Sequence, residues 1–268
     1  MSATLDSLFP DGRIVLLDGA MGSSLHDLGW PAERPTILAN LERPELVESI
    51  HAAHCEAGAQ LITTNTFSAL MATQDKCIEA VREGARLARR ASGYDTRIAG
   101  SVSAFGLAVD DLQAEEVVKA LVEEGVDLLT FETCNKLEDA AHAIALRQKF
   151  APALPAVISA STTDGSRPDW TRVRDIVAYV RSTGDSQLEA GLNCCRGPYD
   201  ALRIALSSAP VIRWVKPSTG PPADPVGDEV MSAFARAAIR HSVRYVGGCC
   251  GTSHETLTAM STAIHFAY

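Results

Sequence analysis

Residues 126–150 read VDLLTFETCNKLEDAAHAIALRQKF. The stretch opens on a short apolar run, Val126 to Phe131, which predicts a strand. It turns polar at Glu132 and Thr133, and apolar residues then return at helical spacing from Leu137 to Phe150. The unit is therefore one strand, one polar turn and one amphipathic helix.

The same unit recurs in both directions. Upstream, strands are predicted at Ile14 to Leu17, Gln60 to Thr64 and Arg97 to Val102. The helices between and after them run from Pro44 to Ala57, Thr73 to Ser92 and Ala114 to Glu124. Downstream, strands at Ala156 to Ser159, Leu188 to Leu192, Val211 to Val215 and Arg244 to Val246 alternate with helices. Those helices are placed at Asp169 to Arg181, Pro198 to Ser207, Asp228 to His241 and Thr252 to Phe266, the last opening on a Thr252/Glu255 capping box. Eight strand–helix units in 268 residues predict an α/β fold, a single (β/α)8 TIM barrel domain over residues 1–268. A doubly wound parallel sheet is the alternative.

Composition narrows the function. The chain has 24 basic and 33 acidic side chains, a formal net charge of −9, which argues against nucleic acid as a partner. No run of eighteen apolar residues is present, so no membrane span is expected. Met1 to Arg13 lack the basic start and apolar stretch of a secretory signal, and a cytoplasmic location is the expectation. Seven cysteines in such a chain point to metal or redox chemistry more than to disulfides.

In a barrel, the C-terminal ends of the strands share one rim, and the rim carries the chemistry. The unusual polar residues fall there. They are Asp18 to Gly22 after the first strand, Thr63 to Phe67 after the second, and Ser101 and Ser103 after the third. Glu132 and Thr133 follow the fourth, and Ser159, Ser161 and Asp164 the fifth. Asn193, Cys194 and Cys195 end the sixth, and Gly247 to Gly251, with Cys249 and Cys250, end the eighth. Three thiolates and an open position suit a catalytic zinc. Cys194, next to Asn193 at the strand end, is assigned as a ligand and Cys195 as a spare. Cys249 and Cys250 can join it only if the backbone bends sharply, which Gly247, Gly248 and Gly251 permit. Zn²⁺ with three thiolates is a weak Lewis acid and suits alkyl transfer to a bound thiol. Asp18 and Glu132 suit an ammonium group. The amides of Gly19 and Gly22, with Thr64, Asn65 and Ser101, suit a carboxylate. An amino acid with a thiol would meet both.

Other residues read more plainly. Cys55, Cys77 and Cys134 read as packing, as do His51 and His54 on their helix. Lys216 opens a Pro- and Gly-rich loop, residues 216–227, and reads as a solvated cation before it reads as a substrate or donor contact. A non-catalytic zinc or thiol-binding barrel and a redox protein acting through Cys249 and Cys250 are the rival functions.

The blocks Leu17-Asp18-Gly19-Ala20-Met21-Gly22, Thr64-Asn65-Thr66-Phe67, Phe131-Glu132-Thr133, Gly191-Leu192-Asn193-Cys194 and Val246 to Thr252 resemble the homocysteine S-methyltransferase family, in order and over nearly the whole chain. The resemblance implies a zinc-containing barrel with Cys194, Cys249 and Cys250 as zinc ligands. It also implies that Asp18 and Glu132 hold the homocysteine amino group, with Asn193 beside them. The Gly19 region and the second-strand motif, Thr64 and Asn65, would hold the carboxylate. The partners implied are homocysteine and a methyl donor, S-methylmethionine or another onium compound first, then betaine or a methyl-corrinoid protein. Monomer and homodimer are equally compatible. The chain departs from the family pattern at Ser103-Ala104-Phe105-Gly106, where Gly-Pro-Tyr-Gly is common, in a short loop from Thr162 to Trp170, and in ending directly after the last helix. These departures concern the donor side.

Overall fold

In a computed structural model of the chain, residues 3–72, 74–105, 107, 111–162 and 170–266 are described. Gly106, Asp164 and most of the fifth-strand loop fall outside them.

Eight parallel strands form one sheet in the order β1-β8-β7-β6-β5-β4-β3-β2. They are β1 (Val15–Leu16), β2 (Leu61–Thr63), β3 (Arg97–Ser103), β4 (Leu128–Cys134), β5 (Ala156–Ala160), β6 (Leu188–Cys194), β7 (Trp214–Pro217) and β8 (Tyr245–Val246). A parallel bridge from Leu17 to Leu61 joins the two edge strands and closes the barrel. The helices are α1 (Gly22–Asp27), α2 (Ala39–Glu42), α3 (Pro44–Glu56), α4 (Gln74–Ala91), α5 (Leu112–Glu123), α6 (Leu137–Phe150), α7 (Trp170–Ser182), α8 (Pro198–Leu206), α9 (Asp228–Arg240) and α10 (His254–His265). The (β/α)8 barrel expected from the repeating unit is the fold observed. Among the described residues no helix is long and apolar enough to cross a membrane.

Strand residues alternate in direction, and this builds two cores. Outward residues Leu16, Ile62, Ile98, Leu129, Ile158, Leu192, Val215 and Val246 pack under the helices. Inward residues Val15, Leu17, Leu61, Ala99, Leu128, Val157, Trp214 and Tyr245 fill the lower barrel. Leu5 and Phe9 plug its base, where Asp6 accepts a hydrogen bond from the Tyr245 hydroxyl at 2.6 Å. Two residues further along each strand the same inward parity yields Thr63, Ser101, Thr130, Ser159 and Lys216. The barrel is thus apolar below and polar above.

Three sequence expectations shift. β7 begins at Trp214, three residues later than the apolar run suggested, and runs on to Pro217, so Lys216 belongs to a strand and not to a loop. The cap of α10 is Ser253, whose hydroxyl accepts from the Thr256 amide at 3.3 Å, and not Thr252. The Thr252 amide is already spent on the Cys249 carbonyl at 3.0 Å. Finally, the short helices α1 and α2 lie between β1 and α3, where the sequence reading assigns no element.

α3 buries His51 and His54 against the barrel, at 0% and 1% exposure. Among the described residues, both ring nitrogens of His51, and Nδ1 of His54, lack a hydrogen-bond partner. Burial drives His51 down to about 3 and His54 down to about 4. Both folded values lie below the unfolded value of about 6.5, so the folded state binds fewer protons and favours neutral imidazole. Stability is therefore complete above about pH 6.5 and falls as the pH drops towards these folded values. Each histidine contributes a slope of up to about 1.4 kcal/mol per pH unit. Urea midpoints measured from pH 7 to 4.5 should fall steeply in the wild type and more gently in His51→Leu; identical slopes would refute the assignment.

Candidate metal centre and binding cavity

A cavity of about 180 Å³ opens at the C-terminal rim of the barrel. Every site residue expected from sequence lines it: Asp18, Gly19, Thr64, Asn65, Ser101, Glu132, Asn193, Cys194, Cys249 and Cys250. Lys216 lines it as well.

Two devices bring the sulfurs together. β6 ends with Cys194 in the left-handed region, φ 59°, which departs from the strand and redirects its side chain. Asn193 braces that turn from β6: its Oδ1 accepts from the Thr133 amide and its Nδ2 donates to Thr133 Oγ1, both at 3.0 Å. Thr133 also sits at positive φ, 67°, so the pair of hydrogen bonds ties two strained strand ends together. After β8, residues 249–252 form a tight turn closed by Thr252 N–H to Cys249 O at 3.0 Å. Gly251 holds the third position at φ 80°, as a type II turn requires. This is the sharp bend expected of the glycine-flanked pair.

The result is a triangle of sulfurs. Cys194 and Cys249 Sγ lie 2.8 Å apart, Cys194 and Cys250 3.9 Å, and Cys249 and Cys250 4.0 Å. Tetrahedral zinc with Zn–S bonds of about 2.3 Å needs S···S edges of about 3.8 Å, which two of the three meet. The 2.8 Å edge is longer than a disulfide bond and would open by about 1 Å around an ion. Among the described residues these three are the one cluster of His, Cys, Asp and Glu able to hold a metal ion. Hydrogen bonds from Cys194 and Cys249 hold the Cys250 thiol down to about 3. In turn Cys194 is raised, by those same bonds and by burial, and Cys249 is raised to about 12, chiefly against the help of Cys194, by Cys250 and by burial. The cluster alone carries one thiolate and two thiols, and a divalent cation is what would draw off the other two protons. The donor set therefore fits zinc. Cys195 points elsewhere: it is 1% exposed, packs in the outer core, and donates weakly to Asn193 O at 3.5 Å. Cys77 and Cys134 are fully buried packing residues, and Cys55 is partly buried.

The polar wall is more committed than the sequence suggested. Asp18 Oδ2 accepts from the Thr63 amide at 2.6 Å, and Oδ1 accepts from Thr63 Oγ1 at 2.9 Å. Lys216 Nζ reaches across from β7 to Asp18 Oδ1 at 2.6 Å and to Thr63 Oγ1 at 3.1 Å. Burial opposes ionisation of Asp18, but the charge of Lys216 and these hydrogen bonds outweigh it and keep the carboxyl below its usual range. Burial likewise opposes the Lys216 charge, but Asp18 and Glu132 outweigh it and raise the ammonium above its usual value. Lys216 is 5% exposed, so the solvated loop cation of the sequence reading is corrected to a buried, paired one. The signal available was spacing: Trp214 points inward, and Lys216 follows two residues later.

Glu132 is the other carboxylate, accepting from Ser101 Oγ at 2.7 Å. Burial pushes it up to about 7, against the pull of Lys216. Thr64 and Asn65 touch the cavity, but their side chains are engaged. Thr64 Oγ1 bonds Thr66 Oγ1 at 2.6 Å and accepts from the Ser101 amide at 3.0 Å. Asn65 Nδ2 donates to Thr36 O and Asn40 Oδ1, both at 2.8 Å. Gly19 is a close approach: a Cβ there would lie 2.5 Å from Thr252 O.

The family model described as homocysteine S-methyltransferase matches residues 15–264. Among curated relatives, methionine synthase of Mycobacterium leprae (strain TN) is 26% identical over 94% of this chain. The chain spans only 24% of that relative's length. Homocysteine S-methyltransferase 1 of Arabidopsis thaliana is 22% identical over 97% of this chain and 96% of its own. Among solved structures, the homocysteine methyltransferase MmuM from Escherichia coli aligns in its apo form with TM-score 0.77 at 24% identity, covering 96% of this chain and 99% of that one. Its metallated form aligns equally well, at 23% identity over the same shares.

Proposed function

Since this chain belongs to the homocysteine S-methyltransferase family, we propose that it transfers a methyl group to the thiol of homocysteine, giving methionine, with zinc held by Cys194, Cys249 and Cys250. The observation that carries the proposal is the triangle of three sulfurs on the wall of a rim cavity with room for an amino-acid-sized ligand.

Bound zinc would supply one thing: it holds the acceptor sulfur as a nucleophilic thiolate near neutral pH. The chain supplies the rest. Asn193 and Thr133 fix the strand end that carries Cys194, so that sulfur keeps its aim. The turn at 249–252 fixes the other two. The lower barrel is closed by Trp214, Tyr245 and Phe9, which keeps water from entering beneath the cavity. The acceptor sulfur forms a bond to the methyl carbon as the bond from that carbon to the donor heteroatom breaks. The electron pair leaves with the donor, and no base is needed at carbon. Rate then depends on thiolate formation and in-line alignment. An onium donor suits this geometry, because it leaves as a neutral molecule and its positive charge would favour ionisation of Glu132 on the cavity wall. S-methylmethionine is the first candidate.

The test is a donor panel with homocysteine, scored for methionine. Zinc-loaded protein would be given S-methylmethionine, S-adenosylmethionine, betaine, dimethylsulfoniopropionate and methylcobalamin. Methionine from S-methylmethionine is the expected result. Methionine from none of them would overturn the assignment.

A further inference from the structure

Two carboxylates face the cavity, and one is already claimed. Asp18 accepts three hydrogen bonds, from Thr63 N, Thr63 Oγ1 and Lys216 Nζ. A carboxylate has about four lone-pair sites, so little remains for a ligand. The Lys216 side chain is 6% exposed and that of Asp18 3%, so the ion pair is buried in the wall and does not sway in solvent. Its position is fixed by the sheet: Lys216 pairs in register with Asn193 on β6. A ligand ammonium seeking Asp18 would have to lie beside Lys216 Nζ, with two like charges a few ångströms apart in a poorly solvated cavity. Nζ has three N–H donors, and two are used on Asp18 and Thr63. The third is available to an anionic group.

We propose that Lys216 supplies from within the chain the cation that Asp18 would otherwise take from the substrate, so the acceptor needs no ammonium group. The site then takes short thiol carboxylates as a class, with the carboxylate directed to Lys216, and homocysteine is one member whose amino group adds little. Glu132, whose carboxyl group bonds only Ser101 among the described residues, is left to face the cationic methyl donor. The inference rests on the thiol-methylation reading above, and it makes Lys216 a specificity determinant.

The test compares homocysteine with 4-mercaptobutyrate, the same molecule without its amino group. Binding of each to zinc-loaded protein is followed by titration calorimetry, which needs no methyl donor. The wild type should bind the two within about threefold of each other. In Lys216→Met, Asp18 loses its internal cation and gains from a substrate ammonium, so the affinity ratio should move towards homocysteine by about tenfold or more. Because that variant leaves a buried carboxylate unpaired, the double variant Asp18→Asn with Lys216→Met is measured beside it. It should lose the homocysteine preference again, and circular dichroism checks that each variant is folded. A wild type that prefers homocysteine by tenfold or more, or a ratio unmoved in both variants, would overturn the proposal, as would failure of 4-mercaptobutyrate to bind. The methylation reading fails separately: equal binding of both thiols with no methylated product from any donor would sink that reading and leave the recognition by Lys216 standing.

Discussion

Cys249→Ala is expected to strip the protein of zinc and to lower methyl transfer by at least about a thousandfold. Cys249 is one corner of the sulfur triangle, 2.8 Å from Cys194 and 4.0 Å from Cys250. With it gone, two sulfurs remain, and they cannot make the three-ligand site of a catalytic zinc. The fold should survive, because the bonds that Cys249 makes to the scaffold are backbone ones. Its amide donates to Pro217 O at 2.7 Å and its carbonyl accepts from Thr252 N, and neither needs the sulfur. Cys195→Ala is the matched control: a neighbouring cysteine, buried in the outer core and away from the cluster. It should keep about one zinc per chain and near-normal activity while losing some stability to the cavity left behind. Metal content by mass spectrometry and turnover of homocysteine separate the two. Full metal and full activity in Cys249→Ala would remove the cluster from the chemistry. A chelator applied to the wild type should reproduce the variant, and added zinc should reverse it.

The barrel was legible because its signal is repeated and local. Each unit carries an apolar run followed by helical spacing, and helix boundaries such as Leu137–Phe150 follow from that pattern. The rim logic then placed the cysteines, since strand ends converge whatever the loop details. What stayed hidden is non-local. The apolar run at Val211 and Ile212 reads as strand, but hydrogen bonding to β6 begins only with Trp214 opposite Gly191. Ile212 is instead buried in the outer core. The strand also runs on to Pro217, past the expected end at Val215, and this changes Lys216 from loop to inward strand position, and with it the charge of the cavity. The contact of Lys216 with Asp18 spans 198 residues, and nothing near either residue in sequence announces it. The capping error at Thr252 has a similar cause: two adjacent hydroxyl residues compete, and the turn that binds Cys249 to Thr252 decides for Ser253.

Lys216→Met should also cost about 3–5 kcal/mol of folding stability at pH 7, since it leaves a buried carboxylate without its counter-charge. Asp18 holds a weak point of the barrel. β1 has only two residues, and its seam with β2 is a bridge at Leu17 and Leu61 together with two bonds, from Gln60 N to Leu16 O and from Leu16 N to Gln60 Oε1. Just above the bridge, the Asp18 carboxylate takes the Thr63 amide in place of a further rung. A carboxylate forced towards its neutral form there would weaken the closure of the barrel. The pH dependence carries the sign. In the wild type Asp18 titrates below its unfolded value, so its contribution is complete above that value and is lost as the pH falls through the folded one. Lys216 titrates above its unfolded value, so its contribution is complete below that value and is lost as the pH rises through the folded one. The pair therefore stabilises across a plateau from roughly pH 4 to roughly pH 10. In Lys216→Met, burial should instead raise Asp18 above its unfolded value, and folding would then favour the protonated acid. The stability gap between wild type and variant should narrow as the pH falls from 7 to 4, even while the buried histidines lower both proteins together. Urea denaturation of the wild type, Asp18→Asn, Lys216→Met and the double variant closes a cycle, and a coupling of less than about 0.5 kcal/mol would mean that the pair contributes nothing beyond its separate members.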